Sequence, residues 1–165
     1  MGMSLGRPIK RLVAPMMRWR TAKGFGVHSP FAFHFITRVL RERLPYYDFE
    51  HLTDRRARLL YRLTDYFVPA TVYVEGADAE EYRRIISMAK SDVEFTDDPH
   101  EACMAVYTSA TGRVIPASEV TVFSPALADS VFPTLPSATM TFANGSTVIA
   151  VTRRGLPRQD FRLRF

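Results

Sequence analysis

The hydrophobic period of the chain changes at Gly76, and this change limits the folds that the sequence can adopt. Residues 71–75 have the composition of a strand, whereas residues 79–90 carry apolar side chains at helical spacing. A second extended run completes a strand–helix–strand unit, which implies parallel strands and a right-handed crossover. The extended runs after the helix are 93–96, 103–108, 120–124, 138–143 and 146–152. The sequence therefore predicts an α/β fold.

The turn after the first predicted strand has the layout of a nucleotide-binding turn, but it holds a single glycine, Gly76. Loops that hold a phosphate or an adenosine use several glycines, because the backbone must turn tightly and approach the ligand closely. Ala77 and Asp78 stand where more small residues are expected. The sequence thus favours a small α/β domain of cofactor-enzyme ancestry over an active enzyme.

The two ends of the chain have different characters. Residues 1–68 predict a helical N-terminal segment, with helices at about 8–22, 30–43 and 53–67. Residues 69–165 predict a reduced α/β domain, and we expect the two parts to form one compact unit. Asn144-Gly145 lies between two alternating runs, which is a strong signal for a tight antiparallel hairpin. The predicted sheet is therefore parallel at first and antiparallel at its last edge.

Composition and charge narrow the class of protein. With 165 residues and 47% apolar side chains, the chain suffices for one domain. Lysine plus arginine against aspartate plus glutamate is 13 to 5 in residues 1–68, 4 to 11 in 69–152 and 5 to 1 in 153–165. Such blocks either dock one part of the fold on another or form a surface for nucleic acid or anionic lipid.

The cellular compartment of the protein is predicted from features that the sequence lacks. A lone cysteine, Cys103, provides no disulfide framework. No apolar stretch reaches the roughly 20 residues that a bilayer crossing requires, and no signal peptide is evident. These features predict a cytoplasmic protein.

Four segments together carry a resemblance to a known family. They are Lys23-Gly24-Phe25-Gly26-Val27-His28-Ser29-Pro30-Phe31, Leu59-Leu60-Tyr61-Arg62-Leu63, Thr71-Val72-Tyr73-Val74-Glu75-Gly76 and the stretch from Gly145 to Phe165. The chain resembles a family of short bacterial class I S-adenosylmethionine-dependent methyltransferase-like proteins, in a truncated and degenerate form. The resemblance covers both ends and the first strand–helix unit, about half of the chain. It implies a reduced Rossmann-like methyltransferase sheet.

The resemblance also implies candidate cofactor-binding residues. Glu75 and Gly76 match the positions that hold the methionine part of S-adenosylmethionine, and Glu94, expected at the end of the second strand, matches the acid that accepts both ribose hydroxyls. Asp78 would add a second negative charge near the cofactor carboxylate. The alternative for these residues is structural, with Asp78 as the N-cap of the following helix. No catalytic residue is predicted. No metal site is predicted either, since the run from Ala105 to Ser109 lacks the acid of metal-assisted relatives.

Three functions remain open from the sequence. The leading hypothesis is a methyltransferase-like protein that has lost S-adenosylmethionine binding and acts as a binding or interaction protein, with no cofactor and with a homodimer through the N-terminal helices as one arrangement. The alternative is an active S-adenosylmethionine-dependent methyltransferase of unknown acceptor. A second alternative is binding to nucleic acid or an anionic membrane surface through the basic segments 7–23 and 153–164.

Overall fold

Three helices and seven strands are found in the part of the chain that the computed structural model describes, residues 28–42, 52–108, 118–123 and 139–165. The helices are α1 (Pro30–Phe35), α2 (Arg55–Phe67) and α3 (Ala79–Ala89), and a π-helical turn (Ile36–Leu40) continues α1. The strands are β1 (Thr71–Glu75), β2 (Glu94–Phe95), β3 (Met104–Tyr107), β4 (Val120–Phe123), β5 (Met140–Ala143), β6 (Val148–Val151) and β7 (Gln159–Arg162).

All seven strands form one mixed sheet with the order β2-β1-β3-β4-β6-β5-β7. The first four strands of this order are parallel to one another. Strand β6 is antiparallel to both β4 and β5, and β7 is parallel to β5. The predicted α/β class, the parallel first part of the sheet and the C-terminal antiparallel hairpin are confirmed.

The predicted position of that hairpin at the last edge is wrong. Strand β6 inserts between β4 and β5, and the edge is β7, a strand that the sequence did not predict. Only Phe161 of its four residues is apolar, so β7 carries a weak hydrophobic signal. Its strand conformation depends on pairing with β5, which joins residues about 20 positions apart in the sequence.

The hairpin turn spans residues 144–147 and is longer than the predicted two-residue turn. The side-chain oxygen of Asn144 accepts hydrogen bonds from the backbone N–H groups of Ser146, at 2.9 Å, and Thr147, at 2.8 Å. Gly145 has φ of 89°, a conformation that favours glycine. Asn144 and Gly145 thus form the turn that their sequence signal indicated, with a wider loop.

One face of the sheet packs on the helices. Because side chains alternate along a strand, the register places apolar residues of five neighbouring strands in two rows on this face. Phe35 of α1 contacts Phe142 of β5, with ring centroids 4.8 Å apart. The helical segment and the sheet therefore share one hydrophobic core. The two rows are Val72, Met104, Val120, Val151 and Met140, then Val74, Val106, Val122, Ile149 and Phe142.

The helix that begins at Pro30 differs from its prediction. Its start is as expected, because the Ser29 hydroxyl accepts a hydrogen bond from the backbone N–H of Ala32 at 3.3 Å. After Phe35 the chain widens into the π-helical turn. The Thr37 hydroxyl donates to the carbonyl oxygen of Phe33 at 2.7 Å, so this side chain competes for a backbone acceptor where the π-helical turn begins. Phe33 is 48% exposed, whereas Phe35 on the same helix is fully buried.

The predicted helix at 8–22 lies outside the described residues. The predicted helices at 53–67 and 79–90 correspond to α2 and α3. Among the described helices, none combines the length and the apolar composition needed to cross a membrane.

Candidate functional site

The strand order changes direction at β1. From β1 the chain passes through α3 to β2 on one side, and then returns to β3 on the other side. In open α/β sheets, ligands bind in the crevice outside the carboxyl ends of the strands at such a switch point. Here the carboxyl ends are Glu75 of β1 and Tyr107 of β3, which are direct partners in the β1–β3 register. The candidate site is therefore the edge of the sheet around these two residues.

The turn after β1 lies at this edge. Gly76 has φ of 124°, which a residue with a side chain adopts only with strain. Its carbonyl oxygen accepts a hydrogen bond from the N–H of Ala79 at 3.3 Å, so the chain turns directly into α3. Asp78 occupies the N-cap position of α3, but its side chain makes no capping hydrogen bond. The N-cap position of Asp78 is as predicted, whereas a capping bond is not formed.

The Glu75 carboxylate is engaged by a neighbouring side chain. The Tyr73 hydroxyl donates a hydrogen bond to Oε2 of Glu75 at 2.7 Å. The rings of Tyr73 and Tyr107 lie 5.7 Å apart at 53°, within the range of favourable aromatic pairs. Two phenols and one carboxylate thus form a polar cluster where β1 and β3 end.

The Tyr107 phenol is a weaker acid than an ordinary tyrosine. Burial is the largest cause that raises its pKa, and the nearby Tyr73 and Glu75 raise it further, to about 12. Only 3% of Tyr107 is exposed. A phenol with such a pKa keeps its proton at neutral pH and serves as a hydrogen-bond donor or acceptor, and it does not act as a general base there.

Glu94 lies away from this cluster. The prediction that it ends the second strand is wrong, because Glu94 begins β2 and pairs with Thr71 at the amino end of β1. Thr71 precedes Glu75 by four residues, which corresponds to about 13 Å along the strand. The structure therefore brings together Glu75, Gly76 and Asp78 but does not bring Glu94 to them. The spacing of two acids in the sequence does not determine which end of a strand the second acid occupies. That position depends on the register of the strand, and the register also depends on the turn after α3.

Thr108 follows β3 at the same edge. Its backbone N–H donates to the carbonyl oxygen of Glu75 at 2.8 Å. Its hydroxyl oxygen is buried and has no hydrogen-bond partner among the described residues. An unsatisfied buried hydroxyl costs about 1–3 kcal/mol, so this group is available to a ligand that enters the crevice. The sequence analysis missed Thr108, Tyr73 and Tyr107, since only strand pairing makes them neighbours of Glu75.

A small cavity opens beside the cluster on the helix face of the sheet. Its volume is about 20 Å³, which is room for about one water molecule. Arg56 is an exposed residue. Burial raises the pKa of Tyr82, and the positive charge of Arg56 opposes this shift. The cavity therefore has an apolar interior with a cation and a phenol in its lining. It is lined by Arg56, Leu59, Leu60, Tyr82, Val106, Tyr107, Val122 and Thr147.

Comparison of this chain with protein-family models, with curated proteins and with solved structures found no match. The resemblance to methyltransferases therefore stays a prediction.

Proposed function

We propose that this chain is a methyltransferase-like protein that has lost S-adenosylmethionine binding and acts as a binding protein at the carboxyl ends of β1, β3 and β4. One observation carries the proposal. Glu75 and Glu94, the two acids that would hold the two ends of the cofactor, lie at opposite ends of β1. A single bound cofactor would need both acids at the carboxyl edge.

The state of Glu75 supports the same conclusion. Its carboxylate already accepts the hydrogen bond of Tyr73. Asp78 lies three residues further along the turn, and a cofactor carboxylate in this region would meet negative charge from both acids. Two like charges 4 Å apart repel by about 1 kcal/mol in water and several times more where solvent is partly excluded. Among the described residues of this turn, the amino end of α3 supplies the opposing partial positive charge.

The cavity beside the cluster supports a binding role. Apolar side chains of α2, β3 and β4 form its interior, and the Arg56 guanidinium is the cationic group in its lining. An apolar pocket with few polar groups is the usual form of a ligand site. The volume suits a single methyl-sized group of a ligand or partner, with an anion attached to it that contacts Arg56.

The loss of cofactor binding is tested by thermal unfolding with S-adenosylmethionine. A ligand at about 100 times its dissociation constant stabilises the folded state by about 2.7 kcal/mol. For a chain of this size, that raises the melting temperature by roughly 5–10 °C. We expect no change at the highest cofactor concentration that is practical. A rise of this size that disappears in Glu75→Gln would contradict the proposal.

A second candidate function, an active S-adenosylmethionine-dependent methyltransferase, is favoured by Gly76 and Thr108. Gly76 has the positive φ that a close-approach turn needs, and the Thr108 hydroxyl at the same edge is buried without a partner in the part of the chain that the structure describes. Isothermal calorimetry distinguishes this candidate, because it requires S-adenosylmethionine to bind and Thr108→Val to weaken that binding. A calorimetric titration without heat removes it.

The binding role is tested with acetate as the probe, since it joins one methyl group to one carboxylate. We expect acetate to shift the amide resonances of residues around the cavity, with weak affinity. Arg56→Gln should raise the dissociation constant about fivefold, which corresponds to about 1 kcal/mol for a partly exposed charge contact. Arg55→Gln is the matched control, because Arg55 is exposed in the same turn and does not line the cavity. Equal effects of the two variants would contradict a specific site.

A further inference from the structure

The exposed side of α1 combines an apolar side chain with basic ones. Phe33 is 48% exposed, although the nearby Phe35 is fully buried. His34 is exposed beside it, and Arg38 in the π-helical turn is exposed as well. Every ionisable side chain in residues 28–41 is basic, so this part of the chain adds no negative charge to the surface around Phe33.

Aromatic contacts join this side of α1 to the carboxyl end of α2 and to the segment after β6. The rings of His34 and Tyr66 lie 5.9 Å apart. The Arg153 guanidinium lies 5.9 Å from the centroid of the Phe31 ring. Burial raises the pKa of Tyr66, and the Arg153 charge opposes this shift, so Arg153 is close to both helices. Arg154, the next residue, is also exposed.

Val68 follows α2 in a backbone conformation that its side chain disfavours. Its φ of 46° and ψ of 52° are left-handed, a region in which glycine or asparagine usually ends a helix and a β-branched residue is an outlier. The Val68 side chain is 61% exposed, so it gains little packing in return. Neither the backbone nor the core accounts for an apolar residue here. An outlier of this kind indicates a functional constraint.

We propose that the surface formed by these residues binds an anionic lipid bilayer, with Phe33 and Val68 entering the boundary between headgroups and acyl chains. Apolar side chains insert at this boundary, while arginine side chains stay with the anionic headgroups. The bilayer is thus recognised by its negative surface and by its apolar interior together. This surface is the α1–α2 patch, and it consists of Phe31, Phe33, His34, Tyr66, Val68 and Arg153.

Charge favours a bilayer over a second copy of this chain. A two-fold interface places the same surface on both sides, so Arg153 would face the basic residues of the other copy. Asp65 is the single acid in residues 56–70, and one exposed carboxylate does not neutralise these cations. Nucleic acid would also neutralise the cations and would stack on aromatic rings, but it offers no apolar volume for the isopropyl group of Val68.

The residues that precede α1 have a composition that suits the same partner. Residues 1–27 contain no aspartate or glutamate, and their basic residues are Arg7, Lys10, Arg11, Arg18, Arg20 and Lys23. Basic residues near a membrane surface attract anionic lipids, and each one strengthens the attraction. Because this segment immediately precedes α1 in the chain, its charge adds to that of the α1–α2 patch.

Flotation of the full chain with lipid vesicles tests the proposal. Vesicles of equal parts phosphatidylcholine and phosphatidylserine should bind the protein at least about tenfold more tightly than vesicles of phosphatidylcholine alone. Added salt should weaken this binding, because exposed charges are screened. Arg153→Gln should raise the dissociation constant about fivefold. Arg84→Gln is the matched control, as an exposed arginine on α3, and should leave the dissociation constant within about twofold of the parent value.

Two further variants test the apolar contact. Phe33→Ser should raise the dissociation constant about tenfold, and Phe95→Ser, which is 38% exposed on the far edge strand β2, is its matched control. Val68→Asn should weaken vesicle binding about threefold. Asparagine suits the left-handed backbone, so Val68→Asn should resist urea at least as well as the parent while it binds vesicles less. Misfolding would produce the opposite change in stability.

Equal binding to both kinds of vesicle, or to neither, overturns the proposal. Full vesicle binding by Phe33→Ser and by Val68→Asn also overturns it, because the membrane contact would then lie outside the α1–α2 patch. Fluorescence anisotropy with duplex DNA and single-stranded RNA tests the competing partner. Tighter binding to either nucleic acid than to anionic vesicles, weakened by Arg153→Gln and not by Val68→Asn, would assign the patch to nucleic acid instead. Sedimentation that shows a dimer in the parent and a monomer in Phe33→Ser would assign it to a second copy.

Discussion

Tyr107 shows how single residues at the carboxyl edge obtain their properties from strand pairing. It is 3% exposed, and its neighbours across the β1–β3 ladder are a carboxylate and a second phenol. Burial is the main reason that its pKa rises to about 12, and the neighbouring Tyr73 and Glu75 add to the cost of ionisation. At neutral pH the cluster is therefore held by neutral phenols around one carboxylate, an arrangement suited to binding.

This raised pKa has a consequence for stability at high pH. In the unfolded chain Tyr107 ionises at its usual pKa of 10.0, whereas in the folded chain it ionises at about 12. Between these values the unfolded state loses its proton first, so the free energy of unfolding falls as pH rises through this window. We expect denaturant titrations of Tyr107→Phe to show a shallower fall from pH 10 to 12.

Glu75→Gln is the companion variant for this measurement. It removes one of the smaller causes of the raised pKa and leaves burial, the largest, in place. We therefore expect the free energy of unfolding of Glu75→Gln to fall with pH at a slope between that of the parent protein and that of Tyr107→Phe. Tyr66 and Tyr82 also have pKa values raised by burial, so some slope remains in every variant. If Tyr107→Phe kept the same fall in unfolding free energy with pH as the parent protein, the pKa of Tyr107 in the folded chain would be ordinary.

At the scale of an element, the β5–β6 hairpin depends on Asn144. The Oδ1 atom of this residue accepts three hydrogen bonds, two from Ser146 and one from the N–H of Thr147. Its Nδ2 atom donates to the carbonyl oxygen of Phe165 at 3.2 Å, which ties the end of the chain to the turn. One amide thus closes the loop and holds Phe165, three residues beyond β7.

Asn144→Ala should destabilise the protein by about 1–3 kcal/mol, because the N–H of Thr147, a residue 5% exposed, loses its acceptor. Asn144→Asp is the matched control. It keeps the carboxyl oxygen as acceptor for all three bonds and removes only the donor to Phe165. We expect Asp to cost less than Ala in urea unfolding, and the reverse order would show that the Phe165 contact is the more important one.

At the scale of the whole molecule, α1 is part of the core of the sheet. Phe35 is fully buried, and its ring lies 4.8 Å from that of Phe142, 5.6 Å from that of Tyr66 and 5.7 Å from that of Phe67. These contacts join two helices and a strand from opposite ends of the sequence. The helical segment and the sheet should therefore unfold together rather than as separate domains.

Phe35→Ala should lower the free energy of unfolding by about 3–5 kcal/mol, the usual cost of removing a buried phenylalanine side chain. The matched control is Phe33→Ala on the same helix, where 48% exposure leaves little to lose and an effect within about 0.5 kcal/mol is expected. Guanidinium unfolding followed by fluorescence and by circular dichroism should give one coincident transition in the parent. Two separate transitions would show that α1 and the sheet are independent units.

Local signals in the chain sufficed for most elements. The β-branched run of β1, the apolar spacing of α2 and α3, the Ser29-Pro30 start of α1 and the Asn144-Gly145 turn each depend on residues within a few positions of one another. Such preferences act through the backbone and through side-chain packing against adjacent turns, so they can be read without knowing the partner elements.

Contacts between distant segments decided the rest. The edge strand β7 forms because β5 offers its backbone, and the insertion of β6 between β4 and β5 follows from packing two apolar faces. The register of β2 against β1 separates Glu94 from Glu75, and the register of β3 against β1 assembles Tyr73, Glu75 and Tyr107. A shift of a strand by one residue turns its side chains to the other face of the sheet, so site composition depends on register, and register is a property of the folded chain.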